Sequence, residues 1–413
     1  MSKTSKAVLL VFSVALVIFT VVGGLRVSAA TDDGAYRQLG VFSEVLSRIR
    51  TEYVEEPNIP QVTDGALHGL LESLDANSSY LTPAEYKEVK AHSGEAKGQI
   101  GATVSKRFGY AAVVSVLPGG AAEKAGVETS DIIEAIENKS TREMSLAEVQ
   151  NLLSGPVGSN VTVSIVRARR AEPLKLTITR DLTKYPAVDE KLLQDSIGYI
   201  KVDAFPNGKT QEIAAKIKSA QDQGAKKLIL DLRDSSDGDV KEGIAAANLF
   251  LDHGTITYLQ GQKYPRETFT ADSKKAVTNL PLVVLVNRGT GGPAEVLAAA
   301  VLENARGDVV GDKTFGLGSV QKTIPIPDGS ALILSVAKYY TPNGKAIQDN
   351  AITPNITVAD NNDDFVLPDD DDDSSSNAEP EKKAKTMDND QQLQRAIQVL
   401  KNKDGHPAEK KAA

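Results

Sequence analysis

Leu282-Val283-Val284-Leu285-Val286-Asn287-Arg288-Gly289-Thr290-Gly291-Gly292-Pro293-Ala294-Glu295-Val296 decides how the rest of the chain is read. Five consecutive apolar residues make a strand buried on both faces. Glycines then give a sharp turn, and Pro293 opens an Ala/Leu/Val-rich helix to Asn304. Strand, glycine turn and proline-led helix form the scaffold on which many hydrolases hold a nucleophile at a helix N-terminus. No serine or cysteine stands at the turn.

Outward from this stretch, strands and helices alternate. Ile197–Val202 and Lys227–Leu232 are apolar strands, and Thr210–Gln221 and Lys241–Leu251 are helices. The alternation predicts an α/β body with some parallel sheet over residues 183–358. Before it, the runs Ile100–Ser105, Ala112–Val116, Asp131–Ile136 and Val161–Arg167 are short, β-rich and separated by glycines. Ser145-Leu146-Ala147-Glu148 is a capping box opening a helix to Leu153. Residues 97–182 are therefore a small β-rich module. Residues 31–96 are helical: Phe42, Val45, Leu46, Ile49 and Tyr53 recur at helical spacing and predict an apolar stripe that packs on something. A second helix follows at Val62–Leu74, and Thr82-Pro83-Ala84-Glu85 caps a third.

Lys3 and Lys6 precede an apolar run from Ala7 to Leu25, and Val27-Ser28-Ala29 resembles a cleavage site. Residues 1–30 read as an export signal, either cut or kept as a membrane anchor, with the chain after Ala30 outside the cytoplasmic membrane. At the other end, Asn361–Glu381 carries nine acids and no base. Residues 359–386 thus read as a disordered acidic linker. In residues 387–413, Leu393, Ile397 and Leu400 have the spacing of a last helix that docks back on the body.

With 413 residues, 41% of them hydrophobic, the chain has room for two or three domains. The net charge of −8 and the acidic tract argue against nucleic acid as a partner. The absence of cysteine excludes disulfides and thiolate chemistry. His68, His92, His253 and His406 have no paired ligand spacing, so no metal is expected, and no phosphate-loop motif implies a cofactor.

The β-rich module resembles a PDZ domain in Gly98-Gln99-Ile100-Gly101, in Pro118-Gly119-Gly120-Ala121-Ala122-Glu123-Lys124-Ala125-Gly126-Val127, and in Asp131-Ile132-Ile133. Ser130 stands where many relatives have glycine. The resemblance places a carboxylate-binding loop at Gly98, Gln99, Ile100 and Gly101, with a partner's C-terminal tail adding a strand beside the capped helix. Leu146 and Val149 would line the pocket for the last side chain, or else belong to the module's core.

Helical region, PDZ-like module and α/β body in that order resemble the C-terminal processing peptidases, or tail-specific proteases. The resemblance runs from about Leu39 to Thr357. It is carried by Ser73-Leu74-Asp75, Ser79-Tyr80-Leu81, Glu85-Tyr86, Ile197-Gly198-Tyr199-Ile200, Leu228-Ile229-Leu230-Asp231-Leu232-Arg233, Thr314-Phe315-Gly316, Gly318-Ser319-Val320-Gln321 and Tyr339-Tyr340-Thr341-Pro342-Asn343-Gly344. It implies a ClpP/crotonase-like serine-peptidase body in a bacterial cell envelope, periplasmic or extracytoplasmic.

In that family a serine in a Gly-Ser-Ala-Ser-Ala type turn is the nucleophile, and a lysine in Phe-Gly-Lys-Gly-x-Val-Gln is the base. Matching Asn287 and Glu295 puts the nucleophile position at Gly292, and matching Phe315 and Gln321 puts the base position at Leu317. Gln321, which in the family orients the lysine, is kept. Relatives follow Asp-Leu-Arg with x-Asn-Pro-Gly-Gly, whose backbone helps form the oxyanion hole, whereas Asp234-Ser235-Ser236-Asp237-Gly238 stands here. A carboxylate at Asp237 would oppose the charge that the hole stabilises. The expectation is an inactive homologue that binds C-terminal tails, as an adaptor, a decoy or a regulator of an active relative. The rivals are an endopeptidase with a displaced dyad drawn from Thr290, Ser319, Lys313 and Lys322, and a structural scaffold.

Overall fold

The computed structural model describes residues 33–91, 97–107, 109–168, 170, 172–359 and 389–402. The export signal or anchor, the acidic linker from Asp360 onward, the tail beyond Asn402, His92 and His406 lie outside the described residues. The chain divides into two compact units, residues 1–67 and 68–413.

The first unit contains α1 (Asp33–Glu52) and the start of α2 (Ile59–Glu72). On α1, Arg48 pairs one turn away on either side, with Glu44 at 2.8 Å and Glu52 at 2.6 Å. The expected packing of the apolar stripe is only partial, since Leu46 and Ile49 are half-buried while Phe42, Val45 and Tyr53 stay exposed.

The second unit opens with the end of α2, followed by the Asp75 turn, β1 (Ser79–Leu81) and α3 (Pro83–Ala91). In the cap of α3, the Thr82 N–H donates to Glu85 Oε2 at 2.7 Å and the Glu85 N–H to Thr82 Oγ1 at 3.4 Å. Next come β2 (Ala102–Arg107), β3 (Tyr110–Val116), α4 (Ala121–Ala125), β4 (Ile132–Ile136), β5 (Lys139–Ser140), α5 (Leu146–Leu153), β6 (Asn160–Val166) and β7 (Leu174–Thr179). They form an antiparallel sheet in the order β2-β3-β4-β6-β7, with β5 beside β4. Reciprocal bonds between Gln99 and Asp181, at 2.8 and 3.0 Å, join its two ends. Ile100, Leu146, Val149 and Leu153 lie in its core with Ile133, Val163 and Ile165.

The strands of the body are β8 (Asp189–Leu193), β9 (Ile197–Lys201), β10 (Ala204–Phe205), β11 (Lys227–Asp231), β12 (Asp237–Gly238), β13 (Thr255–Gln260), β14 (Glu267–Thr270), β15 (Leu282–Val286), β16 (Asp308–Gly311), β17 (Ser319–Pro325), β18 (Ala331–Tyr340) and β19 (Ile356–Thr357). Its helices are α6 (Lys209–Asp222), α7 (Val240–Asn248), α8 (Pro293–Glu303) and α9 (Gln391–Asn402). The main sheet runs β19-β16-β15-β11-β9-β8 and is parallel except for β8. Residues of α6, α7 and α8 join one buried cluster with Ile200, Leu228, Val284 and Val309. On the opposite face Leu393, Ala396 and Leu400 of α9 meet Ile197, Tyr199, Ile229, Val283, Leu285 and Val310. Cover on both faces is why β9, β11 and β15 carry unbroken apolar runs.

A second, antiparallel sheet was not foreseen. Its central strand β18 pairs with β17, β1 and β13, and β14 extends it beyond β13. β17 is exposed over Gln321, Lys322 and Thr323 and has a register shift between Val320 and Gln321, so neither a clean alternation nor an apolar run marks it.

Candidate functional site: the elbow of the peptidase-like body

Val286 ends β15 fully buried, and the chain turns through Asn287–Gly292 into α8. Asn287 holds this turn. Its Oδ1 accepts from the N–H groups of Gly289 at 3.0 Å and Asp234 at 2.9 Å, and its Nδ2 donates to Asp234 Oδ1 at 3.1 Å. At Gly289 a Cβ would stand 2.4 Å from Asp234 Oδ1, so glycine is obligatory there. Gly292 has φ +53° and ψ −115°, a backbone that L side chains rarely adopt. A Cβ at Gly292 would meet its nearest atom, Ser236 O, at 3.4 Å, which is ordinary contact. The sharp positive-φ bend, which glycine adopts without strain, leaves space for a side chain with none attached.

Leu317 lies in the loop between β16 and β17. A Cβ on Gly291 would come within 3.1 Å of Leu317 Cδ1, so the leucine side chain rests against the elbow. One buried carboxylate stitches the two turns together. Glu295 accepts from the N–H of Gly292 at 3.0 Å, of Gly316 at 2.8 Å and of Leu317 at 2.8 Å, and from the Thr314 hydroxyl. Burial pushes its carboxyl up to about 7, against the pull of those four donors. Sequence reasoning used Glu295 only as a marker for alignment. The signal was a glutamate three residues after the turn's last glycine, the place from which a capping carboxylate reaches back.

The structure therefore brings Gly292 and Leu317 to one place, and Gln321 follows on β17. Gln321 is exposed, and its amide donates to Ser319 Oγ at 2.7 Å and Ser335 Oγ at 3.5 Å. Ser319 Oγ also accepts from Asn77 Nδ2 at 3.1 Å, and Ser335 Oγ donates to Asp75 Oδ1 at 3.0 Å. Gln321 is thus bonded to serines and, through them, to the Asp75 turn. Thr290 is fully buried; its hydroxyl donates to Leu232 O at 2.8 Å and accepts from the Asn287 N–H at 3.0 Å. Lys313 and Lys322 are exposed.

Asp237 and Gly238 form β12, parallel to β10. Burial raises the Asp237 carboxyl, while the Tyr185 hydroxyl and the Gly238 N–H pull it back down. Burial also raises the Tyr185 phenol, to about 12, with Asp237 adding to the shift. Gly238 has φ +124°, and a Cβ there would sit 2.3 Å from Phe205 C and O. The residue closest to the Gly292 bend from this segment is Ser236. Its hydroxyl lies 2.5 Å from that of Ser115 on β3, and Thr129 Oγ1 donates to Asp234 Oδ1 at 3.0 Å. These two contacts, unforeseen in the sequence, tie the PDZ-like module to the elbow's supporting turn.

In the PDZ-like module the Gly98 and Gln99 N–H groups donate to Gly155 O at 2.7 Å and Asp181 O at 2.8 Å. Ile100 and Gly101 complete the loop, with Gly101 at φ +75°. Gln99 Oε1 accepts from Ser154 Oγ at 3.2 Å, so the loop lies beside the C-terminal end of α5. Leu146 and Val149 are 7% and 0% exposed and belong to the core.

Comparisons with known proteins agree on kinship. The model of peptidase family S41 matches residues 196–358, and that of a PDZ domain matches residues 113–167. A carboxy-terminal-processing protease of Bartonella bacilliformis is 32% identical over 86% of this chain and 82% of its own length. The carboxy-terminal processing protease CtpA of Bacillus subtilis is 32% identical over 80% of this chain and 70% of its own. Among solved structures, a photosystem II D1 C-terminal processing protease superposes with a TM-score of 0.64 at 25% identity, covering 77% of this chain and 92% of that one. The chain, with a PDZ domain joined to an S41-type peptidase fold, belongs to the family of C-terminal processing serine proteases.

Proposed function

We propose that this protein is a catalytically silent member of its family, exported to the bacterial cell envelope, which binds the C-terminal tails of other proteins through its PDZ domain. It acts there as an adaptor, or as a regulator of an active relative. One observation carries the reading: the elbow keeps its positive-φ bend at Gly292 and its clearance for a side chain, yet position 292 itself carries no hydroxyl and Leu317 rests against the neighbouring Gly291. Glycine has no Oγ with which to form an acyl-enzyme, and leucine has no proton to move.

The displaced-dyad rival finds little support at Thr290. That hydroxyl has its proton on Leu232 O and a lone pair on the Asn287 N–H, inside the turn it stabilises. Incubating the purified chain with an unfolded protein, and titrating it with peptides ending in apolar residues, tests the proposal. The expected result is saturable tail binding without cleavage, with binding lost in Ile100→Asp. Cleavage abolished by Thr290→Ala or Lys313→Ala, or a covalent adduct of a serine-directed reagent on the body, overturns it. A fold-competent protein that binds no tails leaves the scaffold reading.

A further inference from the structure

Arg180, the residue after β7, is a half-buried cation whose guanidinium donates only to neutral oxygens among the described residues. Nε meets Leu153 O at 3.2 Å, Nη2 meets Leu152 O at 2.7 Å, and Nη1 meets Ser159 Oγ at 2.8 Å and Asn160 O at 2.9 Å. Burial lowers its pKa and Glu137, acting at a distance, offsets this only in part. Two glycines make room for it. A Cβ on Gly155 would stand 3.1 Å from Nε, and one on Gly98 would stand 3.0 Å from Arg180 Cβ. Gly98 and Gly155 are themselves joined by reciprocal backbone bonds of 2.7 and 3.1 Å, at the root of the Gly98–Gly101 loop.

That loop has an electrostatic difficulty. It lies against the C-terminal end of α5, where the aligned peptide dipoles place about −0.5 of a charge on the last carbonyls. A tail carboxylate entering there would be repelled. Two of the loop's four N–H groups are already spent on Gly155 O and Asp181 O, so fewer donors remain to compensate. Arg180 donates to the carbonyls of Leu152 and Leu153, the last two of α5, and brings a full positive charge to them.

We propose that Arg180 is the cation of the tail-carboxylate site: by capping α5 it turns the potential at the Gly98–Gly101 loop from negative to positive, and so selects a free chain terminus over an amidated or internal one. This rests on the PDZ-mediated tail binding proposed above. Arg180 is a positioning residue, acting through field and helix cap and not by touching the tail.

The test uses the full chain and one apolar-ended peptide made twice, as free acid and as C-terminal amide, titrated against wild type, Arg180→Gln and Arg180→Lys, with thermal melts of each. Wild type should prefer the acid by about tenfold or more, the size of a charge-assisted contact. Arg180→Gln should lose most of that preference by weakening the acid alone, and Arg180→Lys should keep most of it. An unchanged acid-to-amide ratio in Arg180→Gln overturns the proposal. So does equal weakening of both peptides, which would mark a purely structural clamp. If wild type binds acid and amide equally, tail binding stands and the role of Arg180 falls; if it binds neither, both fall.

Discussion

At position 292 a serine would fit by volume, but a non-glycine residue held in so sparsely populated a region costs about 1–3 kcal/mol. The elbow therefore admits a serine at a cost in stability. Gly292→Ser with Leu317→Lys should give, at most, slow hydrolysis of an unfolded substrate. Adding Asp237→Gly should raise the rate by about tenfold or more on the proposed reading, in which residue 237 belongs to the oxyanion turn and each donor there is worth about 2.7–4 kcal/mol. A double variant as fast as the triple would show the turn to be intact. Glu295 is the residue whose loss the body should tolerate least. Glu295→Ala strands three backbone N–H groups and the Thr314 hydroxyl, and should lower the unfolding free energy by about 3 kcal/mol or more in a urea titration. Gly292 and Leu317 were legible as residues, and only the family resemblance marks their positions as those of nucleophile and base. The work of Glu295 was not, because it depends on two turns 25 residues apart meeting in space.

Among the elements, those covered on both faces were the readable ones: β9, β11 and β15 as apolar runs, and α8 from its proline start. β7 was missed because only Ile178 in it is buried. The half-solvated strands β14 and β17 lack a pattern for a related reason, since their pairing partner and not their own side chains decides their conformation. Two capping boxes meet where α3 faces α5, around a cleft of about 520 Å³ lined by Glu85, Glu88, Met144 and Glu148 among others. Burial raises the Glu85 carboxyl and Glu148 raises it further, against the Thr82 N–H. A raised acid contributes stability that is fully present below its unfolded value of 4.5 and is lost as pH climbs through the folded value. Glu85→Gln keeps the cap acceptor without the charge. It should raise the melting midpoint by about 1–3 °C at pH 8 and leave it unchanged at pH 4, a modest effect because the site is partly solvated.

At the scale of the whole second unit, the PDZ domain and the body meet through Ser115–Ser236 and Thr129–Asp234. Ser236 takes the place of proline in the x-Asn-Pro-Gly-Gly run that the family resemblance implies. Ser236→Pro removes the serine pair and should speed amide exchange in β3 and in the turn at Asn287, read by hydrogen-exchange mass spectrometry, with the parallel sheet unchanged. On the far side, Arg233 joins Asp231 at 2.5 Å to Asp390 at 2.8 Å, just ahead of α9. Burial would raise the Asp231 carboxyl, but Arg233 and Lys201 hold it far below the usual carboxylate range. The helix so anchored is the last described element in the chain, yet it roofs strands laid down from about 80 to nearly 200 residues earlier. Ribosomal synthesis delivers that roof late, so Ile197, Tyr199, Val283 and Leu285 must wait uncovered while the polypeptide is still emerging. A nascent chain halted at Ala359 should consequently be sticky and dependent on a chaperone, and release of the final segment should end that dependence.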